Sequence, residues 1–581
     1  MKLSVMPRVF SSCSRNANRR PYQPAMSLPQ NRRAEPGLAG VTVLASQTPP
    51  PIARLPSAVT AFIGRALKGP LNTPTSIANF AEFQRIFGGL WQPAPLGYAI
   101  EQFFDNGGRQ AIVVRVANGA RAATLRLPAG RGMLVLRARA PGTREFLRAA
   151  VDYDGIASEA TDQFNLVLQR LRAPGSELVE YQESFRSVSV RADAPHSVAR
   201  AMAQASLMRV AGPLPVQRPE PTAAARADRA LRYIAVQGDG ADGEDLCDYD
   251  LIGDEQAGTG LFALCAAPRF DLLCVPPLTR DRDPGLATWL VAARLCRTRQ
   301  AMLVVDSPRG WDTTAAALAG APLWALHSED AIMYFPRLRG LDRLRGRPEL
   351  FAPGAAAAGM LARGDESSPL WAAAAGVVPV LRTPLQLAAP VDAAARVQLA
   401  RLGVNCIEAV RAPAAAPRSA CTLVPENAIG SAGHLLPARR LSLWLQACIL
   451  EGTRWCAGQS PGPGLWQRAA LQVEVFLASL GEEGAFAGHD DEERFYVICD
   501  RRLNEQAGAA RRCALLFGFA AFRPGEFQSY LITHTPEGAR VRAVSLNRLA
   551  YMSAREAAQI ETAILRQLTV EPVSSAPASG V

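Results

Sequence analysis

The chain has 581 residues, 49% of them hydrophobic and 20% charged, with a formal net charge of +11. That is enough for roughly three to four domains, each with a core of its own. Positions 1–35 hold seven basic residues against Glu35 alone, so +6 of the charge lies in a tail and the body is nearly balanced, which argues against a nucleic-acid-binding body. Of 63 basic residues 61 are arginine, which with the alanine abundance reads as coding bias rather than arginine-based function. No run of about 18 apolar residues is free of charge or proline, so no membrane span is expected. The first 33 residues lack the apolar stretch of a signal peptide, and Met26 is a second candidate start. Eleven cysteines, an odd number without a C-x-x-C pair, read as buried free thiols in a reducing cytosol.

Residues 1–35 read as a disordered basic tail. Residues 36–58 read as an extended arm, with a strand at 40–45 stopped by Pro49, Pro50 and Pro51. That strand has no hairpin neighbour, so its partner is distant or on another chain. Residues 59–117 follow as strand 59–63, helix 77–87 closed by Gly88 and Gly89, helix 96–104 closed at Gly107 and Gly108, and strand 111–116. Residues 118–228 change to short alternating strands at 123–127, 133–138, 164–170 and 178–182 with one helix at 197–207. This reads as a β-rich insert whose proline-rich segment 212–221 is its exit linker.

Residues 229–435 alternate strands (272–275, 302–306, 332–336) with helices (286–297, 313–326, and 393–402 capped by Asp392), the rhythm of a largely parallel sheet. Residues 436–533 carry helices 437–456 and 465–480, then strands 494–499, 513–522 and 527–533. In 534–581 a capping box at Ser553 and Glu556 with Ile560, Ile564 and Leu568 predicts a short amphipathic helix. The fold class is therefore multidomain α/β and α+β.

Candidate chemistry is sparse. The glycines 238, 240 and 243 match a dinucleotide loop, but Asp239, Asp242, Glu244 and Asp245 would repel a pyrophosphate, so a surface turn is expected. Gly458, Ser460 and Gly462 match a nucleophile elbow, but Pro461 cannot supply the oxyanion N–H and no strand precedes it. Asp306 ends an apolar strand as a Walker aspartate does, yet no phosphate-binding lysine loop exists, which leaves Asp306 as a cap or loop residue. The five histidines form no ligand pair, and 489–493 reads as a solvated acidic turn. No catalytic residue, cofactor or metal is expected.

Several segments do carry a resemblance. TAFIGRALKGPLN (60–72), FAEFQRIFG (80–88), FFDNGGR (103–109), VVRV (113–116), RAPGT (139–143), DLLCVPP (271–277), DSPRGW (306–311), YFPRL (334–338) and FAP (351–353) run in order. RRL (439–441), EGTRW (451–455), LW (465–466), FYVICD (495–500) and FRPGEF (522–527) continue them. Together they resemble contractile tail sheath proteins of myophages, phage-like bacteriocins and injection systems.

The resemblance implies a structural subunit rather than an enzyme, assembled in the cytoplasm and built into a phage tail or injection particle. Such a subunit polymerises around an inner tail tube protein and contracts to drive it through a target membrane. Its partners are copies of itself, the tube, and baseplate and sheath-terminator proteins, with neither nucleic acid nor direct membrane insertion. It also implies arms that complete sheets on neighbouring subunits, here Pro36, Gly37, Val41 and Val43 at one end and Phe527, Tyr530, Leu531 and Ile532 at the other. The C-terminal domain would grip the tube, which singles out Trp455, Trp466 and Arg468. The arm PGLAGVT (36–42) lacks the family's aromatic and acidic residues, SACTL (419–423) departs from the usual GARTL, and 534–581 run past the usual end. Two alternatives stay open: a non-polymerising paralogue acting as cap or baseplate adaptor, and an enzyme on the α/β domain.

Overall fold

The computed structural model describes residues 50–222, 232–371, 380–382, 385–411, 414–417, 420–426, 434–504 and 512–544. The predicted strand 40–45 and helix 553–568 lie outside these residues. The central element is an eight-stranded sheet in the order Ala414–Pro417, Val404–Arg411, Ala331–Phe335, Met302–Asp306, Leu272–Cys274, Thr60–Gly64, Ala111–Arg115, Thr75–Ile77. Its six inner strands run parallel, in registers such as Thr60 opposite Leu272 and Leu303 opposite Ala331. Chain order reverses between Thr60–Gly64 and Leu272–Cys274, which makes the sheet doubly wound.

Its strands are continuous apolar runs because both faces are covered. Ala61, Ile63, Leu303 and Val305 point into one core with Trp289 and Cys296 of the Leu286–Arg299 helix. Phe62, Met302 and Val304 point into the other, with Phe83 and Phe87 of Phe80–Phe87 and Phe103 of Pro95–Asp105. Each large side chain so buried contributes about 1.5–3 kcal/mol. Helix ends follow the sequence signals: Asn79 accepts from Glu82 N, Gly88 closes the same helix at φ 95°, and Asp392 Oδ1 accepts from Ala395 N at 2.7 Å.

One helix on this second face was not expected. Gly354–Ser367 is alanine-rich and buried on several sides, so it shows no 3.6-residue apolar stripe to read. Gly359 lets it approach the Pro95–Asp105 helix: a Cβ there would sit 2.3 Å from Phe103 O. A second unforeseen element is the small sheet Arg347–Phe351, Leu338–Asp342, Gln386–Leu387.

The insert folds as two sheets around one core. Thr124–Ala129, Gly132–Ala138 and Met208–Val210 form one; Leu147–Asp152, Gln163–Leu171, Val179–Ser189 and Ile234–Ala235 form the other. The insert extends beyond residue 228, because Ile234–Ala235 pairs within it and Glu244 and Ala241 bridge back to Asn118 and Arg121. The predicted helix 197–207 is only a turn, Val198–Ala201, followed by a 3-10 turn and a strand. The proline-rich 212–221 is docked rather than free: Tyr153 OH donates to Pro219 O, and Arg218 stacks 3.7 Å from the Tyr153 ring.

The C-terminal module packs helices Leu436–Gly452 and Pro463–Glu482 on a four-stranded antiparallel sheet in the order Phe495–Ile498, Cys513–Ala520, Phe527–Thr535, Gly538–Val544. This corrects one expectation. Phe527, Tyr530, Leu531 and Ile532 do not leave the body: their strand is paired on one side with Cys513–Ala520 and on the other with Gly538–Val544. Tyr530, Leu531 and Ile532 are buried. The physical reason is the tight turn at Pro536 and Glu537, which folds residues 538–544 back as a hairpin.

Candidate assembly surfaces

The first of the matched segments fixes a loop. In TAFIGRALKGPLN, Gly69 sits at φ 99°, and the buried Arg115 donates to Ala66 O and Gly69 O at 3.0 and 2.7 Å. Arg65 reaches Asp245 and Gly243 O, tying this loop to the end of the insert. The glycine-rich 238–243 is the expected surface turn. Its carboxylates are used internally: Asp239 accepts from Thr124 N and Oγ1, and Asp242 from Thr143 N and Oγ1. Ser460 is exposed between the Arg454–Cys456 turn and the next helix, without a preceding strand.

In a doubly wound sheet a ligand normally lies at the carboxyl ends of the strands beside the reversal. Here the protein fills that crevice itself. Asp306 Oδ1 accepts from Gly354 N at 2.7 Å, occupying the N-terminus of the Gly354–Ser367 helix where an anion would otherwise bind. Arg337 donates to Ser307 O and to Asp283 Oδ1 at 2.6 Å, and Arg280 to Asp342 Oδ2 at 2.5 Å. Tyr98 OH donates to the same Asp342 at 3.1 Å. Burial raises the Asp306 carboxyl to about 6 and the Tyr98 hydroxyl to about 12. The space left is about 40 Å³, room for a few waters. A small-molecule site needs several hundred Å³.

A larger groove, about 650 Å³, opens between the end of the Phe80–Phe87 helix and the insert. Lys68, Arg85, Arg144 and Arg172 line it, with Glu180 3.6 Å from Lys68 Nζ.

The C-terminal module is joined to the sheet by buried ion pairs on the Leu436–Gly452 helix. Arg439 donates to Asp330 Oδ1 through Nε at 2.9 Å and Nη2 at 2.6 Å, and reaches Tyr530 OH through Nη1 at 3.2 Å. Arg440 pairs with Asp365 of the Gly354–Ser367 helix and donates to Ser57 O. The described end of the N-terminal arm runs over the same module. Ile52 enters its core, Trp444 Nε1 donates to Leu55 O at 2.7 Å, and Gln472 Nε2 to Pro50 O at 2.5 Å. Pro36, Gly37, Val41 and Val43 are outside the described residues.

The three residues singled out for tube contact separate. Trp466 is 8% exposed, a core residue beneath the sheet. Arg468 is exposed and Trp455 half-buried against the same core; the guanidinium lies 4.7 Å from the indole centroid, and Trp455 Nε1 donates to Gln472 Oε1 at 2.8 Å. Two surface features had no sequence signal: the exposed Leu471 and Val475 on the same helix, and the outer edge of Gly538–Val544. Among the described residues no helix is long and apolar enough to cross a membrane.

No protein-family model and no curated protein matches the chain. Solved structures do. The sheath tail protein Lin1278 from Listeria innocua aligns over 85% of this chain and 97% of its own, with TM-score 0.55 and 12% identity. The sheath of PVC, an extracellular contractile injection system, in its contracted state aligns over 86% of this chain and 97% of its own, with TM-score 0.50 and 15% identity. Over most of its length the chain therefore has the tail-sheath fold.

Proposed function

We propose that the protein is a structural subunit of a contractile sheath that assembles with copies of itself around an inner tube and contracts to push that tube through a target membrane. The observation that carries this reading is the sheath fold across 85% or more of the chain. The filled crevice supports it, since the usual ligand position of the α/β sheet is spent on internal ion pairs. Residues 36–45 would serve as the donated strand that completes a sheet on a neighbouring copy. The basic groove and the Trp455–Arg468 pair are the remaining surfaces suited to partners, the latter to the tube. Assembly would take place in the cytoplasm, alongside baseplate and terminator proteins, with neither nucleic acid, membrane insertion nor a cofactor involved.

A second reading is favoured by one observation. Because the strand Phe527–Thr535 is paired on both edges within the chain, it is not available as a C-terminal link, as suits a cap or adaptor that does not polymerise. Electron microscopy of the full-length protein, alone and with the tube protein, separates the two. Tubes or stacked rings that are lost on deleting residues 1–46 support the polymerising sheath. Dispersed particles under both conditions overturn it in favour of the cap.

A further inference from the structure

Three cysteines far apart in the chain meet inside the C-terminal module. Cys456 ends the Arg454–Cys456 turn, Cys499 follows the Phe495–Ile498 strand, and Cys513 opens Cys513–Ala520. All are at most 5% exposed and belong to one core. Cys499 Sγ lies 3.9 Å from Cys513 Sγ, and Cys456 is buried in the same core.

His534 stands directly opposite Cys513 in the ladder, so their side chains share a face of the sheet. Its tautomer follows from its neighbour. Thr453 Oγ1 gives its one proton to Ile449 O at 2.6 Å, so its 2.8 Å contact with His534 Nε2 requires the proton to be on Nε2. Nδ1 then carries a bare lone pair, buried and without a partner, on a side chain 1% exposed. Burial pushes the imidazole pKa down, which keeps it neutral and able to take a proton. The S–H groups of Cys456 first and Cys499 second pull the Cys513 thiol below the usual cysteine range. Among the described residues no group of three or more His, Cys, Asp or Glu is placed to hold a metal ion.

We propose that Cys513 and Cys499, with Cys456 as the alternative partner, form a peroxide-sensitive thiol pair in which His534 Nδ1 accepts the Cys513 proton. The resulting thiolate attacks one oxygen of the peroxide; an S–O bond forms, the O–O bond breaks, and hydroxide leaves with the proton held on His534 as water. Cys499 sulfur then attacks the Cys513 sulfenic acid. The S–S bond forms, the S–O bond breaks, and the departing hydroxide takes the Cys499 proton as a second water. Two thiols are oxidised by two electrons and one peroxide is reduced to two waters. The product is a covalent tie across the strands of the C-terminal sheet, removable by a thiol reductant.

The test exposes the full-length protein to graded hydrogen peroxide, blocks remaining thiols with N-ethylmaleimide, and quantifies peptides by mass spectrometry. The linked 499–513 or 456–513 peptide is expected to form about tenfold faster than oxidation of Cys448, a lone thiol buried as deeply, and to vanish with dithiothreitol. Cys513→Ser abolishes both links, and His534→Gln slows them by about tenfold. Oxidation of Cys448 or the exposed Cys265 before any such link overturns the proposal. An unchanged rate in His534→Gln overturns the role of the imidazole. Should either variant fail to fold, the order of oxidation in the wild-type protein decides.

Discussion

Replacing Asp330 by alanine tests whether the C-terminal module is held to the central sheet by charge. Asp330 is 0% exposed and gives one oxygen to both Nε and Nη2 of Arg439, while its other oxygen lies 3.4 Å from Arg297 Nε. Arg439 is itself 9% exposed. Without Asp330 the guanidinium keeps only Glu329 at 3.2 Å and Tyr530 OH, so a desolvated cation loses its principal partner. Breaking a buried pair from one side costs about 3–5 kcal/mol. With a denaturant slope of about 1–3 kcal/mol per molar urea, the unfolding midpoint should fall by about 1 M or more. Arg439→Met combined with Asp330→Ala removes both charges, and should be less destabilising than the sum of the single changes by about 2 kcal/mol or more. Urea unfolding followed by tryptophan fluorescence measures all four forms, since Trp444 and Trp466 lie in this module. A loss below about 1 kcal/mol for Asp330→Ala, or additive single effects, would refute the reasoning.

Asp271, which accepts from Val59 N at 2.9 Å, has its carboxyl raised by burial to about 6 from an ordinary 3.8. Its contribution to stability is therefore full below about pH 4 and is lost as pH rises through 6. Asp271→Asn should gain on the wild type by up to about 3 kcal/mol between pH 4 and 7, read as the difference in melting temperature across that range. Gly359→Ala sets a Cβ against Phe103 O and should cost about 1–3 kcal/mol. Gly464→Ala meets nothing within 4 Å and should be neutral or stabilising by up to about 1 kcal/mol in the same thermal scan. Arg468→Ala should change stability by no more than about 1 kcal/mol yet abolish co-sedimentation with tube protein. Unchanged co-sedimentation would remove this residue from the tube contact.

The sequence made the central sheet legible because a strand covered on both faces reads as an unbroken apolar run: 302–306 was placed to the residue. Caps were legible too, since Asp392 and Gly88 act through chemistry local to the chain. The Gly354–Ser367 helix was not, because small side chains buried around its circumference erase the periodicity that announces a surface helix. Gly538–Val544 was missed because an edge strand with mostly exposed, arginine-bearing positions has no apolar face to count. That omission left Phe527–Thr535 looking like a free end. Trp455 and Trp466 are one turn of chain and one helix start apart, and nothing local distinguishes the core tryptophan from the half-buried one. The cysteine cluster had no spacing to betray it, because its members are joined only by the fold of the sheet.

Arg439 and Arg440 are neighbours on one helix, so their side chains leave it about 100° apart around its axis. One runs to the loop before the Ala331–Phe335 strand, the other to the Gly354–Ser367 helix and the chain at Ser57. In mechanical terms these are two struts that are not collinear. A single strut leaves a swivel; two at a wide angle also remove rotation about the helix, and the joint becomes a rigid bracket. Force applied to the C-terminal sheet is then transmitted to the central sheet as torque, with little lost to flexing between them.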